Sequence, residues 1–233
     1  IVEVVVDALA AAGVPGVSID FTLPDLVDVL AGGPFPVAAD KIGALRGRLD
    51  AKDAGGVAAI APAYLPLIEA AGPFEAAHDR LCAFDVGGAL RSRLDGLWTI
   101  ASGLKERVAL TLDPTERHGF EYQSWLGFSL FGAGLAGEIG RGGSYAIVRE
   151  DGTEEPAIGF SLYLDPLVDA GLGGKEARRI FLPLGTDPAA GAALRAQGWR
   201  TVAGLAEEDD PQALGCDLVW RNGAAVPIDG ESR

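Results

Sequence analysis

The sequence predicts an α+β fold: an antiparallel sheet flanked by helices, then a small α/β unit at the C-terminal end. Three observations carry this. The run from Gly119 to Phe131 has period two and is rich in aromatics. Phe120, Tyr122, Ser124, Leu126, Phe128 and Leu130 fall on one side, and Glu121, Gln123, Trp125, Gly127, Ser129 and Phe131 on the other, the pattern of a long strand. The stretch from Val37 to Gly103 is rich in alanine and leucine and is cut by Gly55-Gly56 and Gly72-Pro73, which predicts several helices. From residue 178 onward, short apolar runs and one helical segment follow in β-α-β order.

Taken in order, Ile1 to Ala12 predicts a helix stopped by Gly13. Val17, Ile19 and Phe21 alternate with Ser18 and Asp20, a half-buried strand. Pro24 suits the first turn of a short helix to Leu30, which Gly32-Gly33-Pro34 breaks. Arg107 to Leu112 alternates and leads into the central strand. Gly132, Gly134, Gly137, Gly140, Gly142 and Gly143 crowd the next dozen positions and predict a turn or bulge region. Tyr145 to Glu150 reads as the returning strand, and Asp151-Gly152 as a tight turn. The apolar positions after Pro156 predict a helix over 158–170, ended by Gly171. The expected division is 1–175 for the main core and 178–233 for the C-terminal unit. There Ile180 to Leu184 is a strand, Pro188 to Gln197 a helix and Trp199 to Val202 a strand. Leu218 to Trp220 and Ala224 to Ile228 form a hairpin about Asn222-Gly223.

Composition narrows the function. The chain has 233 residues and is 48% hydrophobic, ample for a core. It has no methionine, so Ile1 is not an initiator, and N-terminal structure is expected to precede it. A net charge of −14 opposes a phosphate backbone, so no nucleic-acid partner is expected. The longest apolar runs are broken by charge or proline, and residues 1–12 lack a basic flank, so no membrane span or signal peptide is expected. Cys82 and Cys216 have no metal-ligand spacing and read as buried thiols of a reducing, cytoplasmic compartment. His78 and His118 have no neighbouring ligand at metal spacing, so no metal is expected. Gly132-Ala133-Gly134-Leu135-Ala136-Gly137 matches a dinucleotide fingerprint, but Glu138 to Gly143 does not continue as the helix such a site requires. No nucleophile-elbow motif is present.

The motifs in 118–167 resemble the last part of the catalytic domain of class II aminoacyl-tRNA synthetases of the histidyl type. That family carries R-G-L-D-Y-Y-T-G, then G-G-R-Y-D, then G-F-x-x-G-x-E-R-L. Here His118 to Trp125 reads H-G-F-E-Y-Q-S-W, the second motif is Gly142-Gly143-Ser144-Tyr145-Ala146, and the third runs from Gly159 to Leu167. Two departures bear on function. The arginine of the first motif falls on His118, and the ATP-contacting arginine of the third falls on Pro166. Proline has neither charge nor donor and cannot hold a phosphate. Shape-forming glycines and aromatics remain where the ATP chemistry is lost. That combination resembles the synthetase paralogues that serve as regulatory subunits of ATP phosphoribosyltransferase, the first enzyme of histidine biosynthesis.

The resemblance implies a class II synthetase-like core for 1–175, with that family's motifs 1 and 2 falling before Ile1. It implies a shortened counterpart of the anticodon-binding domain for 178–233. It also implies a non-enzymatic role without cofactor, in a hetero-oligomer with the catalytic subunit of ATP phosphoribosyltransferase. The implied histidine-binding residues are Glu121, Tyr122, Gln123 and Tyr145. Against this, Glu121 reads as a solvated strand acid, and Tyr122 and Tyr145 as packing aromatics. Gln123 stands where the family has its second tyrosine. An active histidyl-tRNA synthetase and a stand-alone small-molecule-binding protein of the same fold are the competing functions.

Overall fold

The computed structural model describes residues 1–117, 123–173 and 178–228, with Gln123 described by its backbone alone. The chain divides into two compact units, 1–173 and 174–233.

The first unit starts with α1 (Val2–Ala11), which buries Val2, Val5, Val6 and Leu9, the i, i+3, i+4, i+7 stripe of an amphipathic helix. Gly13 ends it with φ +82°. The Gly13 amide donates to the Ala10 carbonyl and the Val14 amide to the Leu9 carbonyl, a glycine cap that satisfies the last-turn carbonyls. Next come β1 (Ser18–Thr22), α2 (Leu26–Ala31), α3 (Ala39–Asp50) and α4 (Ala54–Ile60). The Asp53 carboxylate accepts the Gly56 amide at 2.9 Å at the start of α4. A 3-10 turn (Pro62–Tyr64) and α5 (Pro66–Glu69) lead to a two-residue β2 (Gly72–Pro73). Then follow α6 (Phe74–Phe84), α7 (Arg91–Ser102), β3 (Ala109–Leu112), β4 (Gln123–Phe131), β5 (Gly140–Val148), β6 (Glu154–Leu162) and α8 (Leu164–Asp169).

The sheet order is β2-β3-β1-β4-β5-β6. The pairs β1–β4, β4–β5 and β5–β6 are antiparallel, as the fold class requires. The β1–β3 pair is parallel, which a purely antiparallel sheet does not allow for. A helical crossover is what lets two strands run the same way, and α2 to α7 lie between these two in the chain. Ile19, Phe21, Leu126, Phe128 and Leu130 point to one face and join the buried side chains of α1, α2, α3, α6 and α7 in one core. None of the helices among the described residues is long and apolar enough to cross a membrane.

Two sequence expectations fail here for related reasons. The helix expected over 158–170 is a strand as far as Leu162, and only Leu164–Asp169 is helical. Ile158, Phe160 and Leu162 also fit period two, and pairing with β5 along its whole length selects the extended form. The glycine stretch is a turn only in its first part, since Gly140 to Gly143 already belong to β5. A Cβ on Gly142 would collide with the Phe128 ring and the Gly159 carbonyl, and one on Gly140 with the Ser161 carbonyl. These glycines serve close strand-to-strand packing. Cys82 is exposed where a buried thiol was expected; Cys216 is buried.

In the second unit, β7 (Arg179–Leu182), α9 (Pro188–Ala196) and β8 (Arg200–Ala203) form a β-α-β crossover with β7 and β8 parallel. The hairpin β9 (Leu218–Arg221) and β10 (Ala224–Pro227) completes a sheet of order β10-β9-β7-β8. Asn222 and Gly223 both have positive φ, 51° and 78°, as a type I′ turn requires. Asp187 caps α9 by accepting the Ala189 amide, with Pro188 in the first turn.

Tyr64 ties the segment after α2 to the helical layer. Its ring is fully buried, its hydroxyl donates to the Phe35 carbonyl at 2.9 Å, and it meets the Phe35 ring edge-on. Burial, and secondarily the Asp28 carboxylate, push the phenol from 10.0 up to about 12. The folded value lies above the unfolded one, so this stabilisation is complete below pH 10 and is lost as pH rises toward about 12. Urea unfolding of wild type and Tyr64→Phe should therefore differ by about 1 kcal/mol near neutrality. The difference should shrink as the pH is stepped from 10 to about 12; a gap independent of pH would contradict it.

Candidate functional site

The face of the sheet opposite the core is polar. Side chains alternate along each strand, so the registers place Thr111, Asp20, Ser129, Arg141 and Ser161 in one row across five strands. The next row is Thr22, Gly127, Gly143 and Gly159. The glycines give this row a floor without side chains, bordered by the Arg141 row on one side. Tyr145 borders it on the other, its hydroxyl close over Gly159: a Cβ there would lie 3.5 Å from the phenolic oxygen. This row is a trough in the side-chain surface, with Gly127 and Gly143 buried and Gly159 partly exposed.

Three members of the Arg141 row, Thr111, Asp20 and Arg141, are held by side-chain bonds. Thr111 donates to the Asp20 carboxylate at 2.6 Å. The Arg141 Nε donates to Glu138 Oε1 at 2.6 Å, and its Nη2 pairs with Oε2 of the same carboxylate. Both side chains are largely shielded, 19% and 15% exposed. The bidentate Glu138 carboxylate, with Tyr163 as a further hydrogen-bond partner, keeps the Arg141 guanidinium above its ordinary value. The fork is thus matched to a carboxylate from its own chain.

The strand entering the site is bulged. The β4–β5 register shifts between Ser124 and Gly127, and Trp125 sits at φ +62°, a left-handed conformation uncommon for a bulky residue. Ser144 plugs the bulge: its hydroxyl donates to the Ser124 carbonyl and accepts the Leu126 amide at 3.2 Å. The bulge re-aims the Trp125 indole toward α7, where it lies against Gly96, a position at which any Cβ would strike the ring. Simple alternation puts Trp125 with Gly127 and Ser129 on the outer face; the inserted residue breaks that parity.

A second set of bonds fixes the loop that precedes the central motif. Lys52, just past α3, has φ +54°. Its ammonium donates to Asp113 Oδ1 at 2.6 Å and to Thr115 Oγ1 at 2.7 Å. The Asp113 carboxylate also accepts the Thr115 amide, and Asp50 accepts the Arg117 amide at 3.0 Å. The end of α3 therefore holds 113–117 in place.

The family model for histidyl-tRNA synthetase matches residues 1–167. The chain belongs to the histidyl-tRNA synthetase family. Within this family a curated relative, the ATP phosphoribosyltransferase regulatory subunit of Paramagnetospirillum magneticum (strain ATCC 700264 / AMB-1), is 42% identical over 213 residues, covering 88% of the chain. The chain spans 55% of that relative's length. The crystal structure of an ATP phosphoribosyltransferase regulatory subunit/histidyl-tRNA synthetase from Bacillus halodurans C superposes with a TM-score of 0.63 at 20% identity, over 91% of this chain and 61% of that one. The ATP phosphoribosyl transferase (HisG:HisZ) complex from Thermotoga maritima contains a chain that matches with a TM-score of 0.55 at 15% identity, over 70% and 59%. These two likenesses concern the fold.

Of the residues the sequence nominates, Tyr145 is on the trough, and the Gln123 backbone pairs with it across β4 and β5. Glu121, Tyr122 and His118 lie outside the described residues. Pro166 is in the first turn of α8, directly after β6, where no intrahelical amide bond is lost. Sequence reasoning missed Asp20, Glu138, Arg141 and Ser144. The register that aligns Asp20 with Arg141 is not written in any one strand, although a lone arginine inside a glycine stretch was a signal for Arg141. Among the described residues no cluster of three or more His, Cys, Asp or Glu could hold a metal ion.

Breaking the Lys52 anchor should be measurable. Lys52→Met leaves the partly buried Asp113 carboxylate without its ammonium partner and keeps a side chain at positive φ, for an expected cost of about 1–3 kcal/mol. Lys52→Gly removes the same bond but relieves the backbone, so it should cost less. Urea midpoints for the unfolding of 1–173 give the ranking; Gly worse than Met would contradict the geometry.

Proposed function

We propose that this chain is part of a non-catalytic regulatory subunit of ATP phosphoribosyltransferase, which binds the catalytic subunit and senses free histidine. The carrying observation is the combination at the sheet face. The glycine floor and Tyr145 are kept, while the third family motif offers Pro166 where a synthetase needs a cation for ATP. Arg141, the cation of the polar row, is already matched by Glu138. A trough whose described cation is already matched suits an amino acid better than a nucleotide. The name of the Paramagnetospirillum relative supports the same role. The acidic balance of −14 favours a protein partner over tRNA.

In this proposal Glu121, Tyr122, Gln123 and Tyr145 contact histidine. The Glu121 carboxylate pairs with the ligand's ammonium or imidazole, and Tyr145 closes the trough from the β5 side. Residues 178–233 are the shortened counterpart of the anticodon-binding domain, supported by their β-α-β order. The assembly is a cytoplasmic hetero-oligomer. Histidine that binds one state of it better shifts the population toward that state.

Two measurements test this. The purified protein should show no histidine-dependent ATP–pyrophosphate exchange; measurable exchange would restore the synthetase function. In calorimetry with the catalytic subunit present, wild type should bind histidine and Glu121→Ala should bind it about ten- to a hundredfold more weakly, the loss of one charge-assisted hydrogen bond. Unchanged affinity would remove Glu121 from the site, and absence of histidine binding in wild type would refute sensing.

A further inference from the structure

The first unit contains a cavity away from the glycine row. It lies between the start of α6, the end of α7 and the start of β3, with a volume of about 280 Å³. Pro73, Phe74, Trp98, Ala101, Val108 and Leu110 make its apolar walls. The aromatic wall is preorganised. Phe74 stacks on His78 with ring centroids 5.8 Å apart, and Trp98 lies 5.0 Å from the same imidazole. His78 is itself buried, with its Nε2 3.1 Å from the Leu94 carbonyl oxygen. Yet Trp98 is 42% exposed, leaving an aromatic face open to water at the cavity.

The rim carries one charge of each sign. Lys105 Nζ and Glu75 Oε1 are 3.8 Å apart, beyond ordinary hydrogen-bond length, and both side chains are at least half exposed. Such a pair is worth little by itself and can be divided at small cost. An α-amino acid presents a carboxylate and an ammonium on one carbon. It can give its carboxylate to Lys105 and its ammonium to Glu75 while its side chain enters the apolar cavity. We propose that this cavity is a binding site for a free aromatic α-amino acid, held by Trp98 and Phe74 at the ring and by Lys105 and Glu75 at the zwitterionic head. The volume suits one small ring system and its backbone, at the lower end of small-molecule pockets. The preference over a simple apolar ligand comes from the charge pair; the preference over an aliphatic one comes from the aromatic wall.

The probe is L-tryptophan, followed by calorimetry and saturation-transfer NMR on the whole chain. Indole and indole-3-propionate serve as controls lacking the zwitterion or its ammonium. Saturable binding of L-tryptophan, tighter than either control, is expected. Trp98→Ala, a change at an exposed position, should weaken it tenfold or more. Lys105→Ala and Glu75→Gln should each weaken it roughly two- to fivefold. Circular dichroism confirms that each variant is folded. No saturable binding to wild type, equal binding of indole, or undiminished binding to folded Trp98→Ala would each overturn the proposal.

Discussion

The structure depends on how closely β4, β5 and β6 approach one another through glycine. On the core side, Gly140 and Gly142 leave room for Leu130 and Phe128 to lie across β5, and any side chain there meets the Phe128 ring or the carbonyls of β6. On the outer side, Gly127, Gly143 and Gly159 align to make a floor. Glycines on the two sides of these strands thus let the sheet close over its core and leave a row without side chains on its opposite face. Glycine in a strand interior is ordinarily unfavourable. The cost is offset here by packing that a Cβ would forbid, by long antiparallel ladders on both sides of β5, and by the Ser144 hydroxyl that fills the bulge.

The polar devices around this floor work by holding charge in place. Glu138 matches Arg141 in a shielded, bidentate pair, and Thr111 fixes Asp20. Lys52, Asp50, Asp113 and Thr115 join the end of α3 to the loop before the central motif. The helical layer and the approach to the site are therefore mechanically connected, although they are far apart in the chain.

Much of this was legible in the sequence where a signal is local. The α1 stripe with its glycine stop, the period-two strands and the Asn222-Gly223 hairpin follow from neighbouring residues. The 158–170 segment was misread because Ile158 and Leu162 satisfy a helical and an extended spacing equally, and pairing with β5 decides between them. Gly140 to Gly143 were misread because glycine serves turns and tight packing alike. Tyr145 was nominated through its family motif, and it lies beside the glycine row. Asp20 and Arg141 were not nominated, because their alignment arises only from the register of β1, β4 and β5, and the Trp125 bulge is filled by Ser144 from the neighbouring strand.

The central claim is that a synthetase-like sheet face here serves regulation of a partner. The measurement that bears on it most directly is the turnover of the catalytic subunit of ATP phosphoribosyltransferase, assayed with and without the polypeptide carrying this chain, and with added histidine. A rate that changes when the polypeptide is added, and that histidine then suppresses, is the predicted result. A rate unaffected by the polypeptide at saturating concentration, with or without histidine, would contradict it.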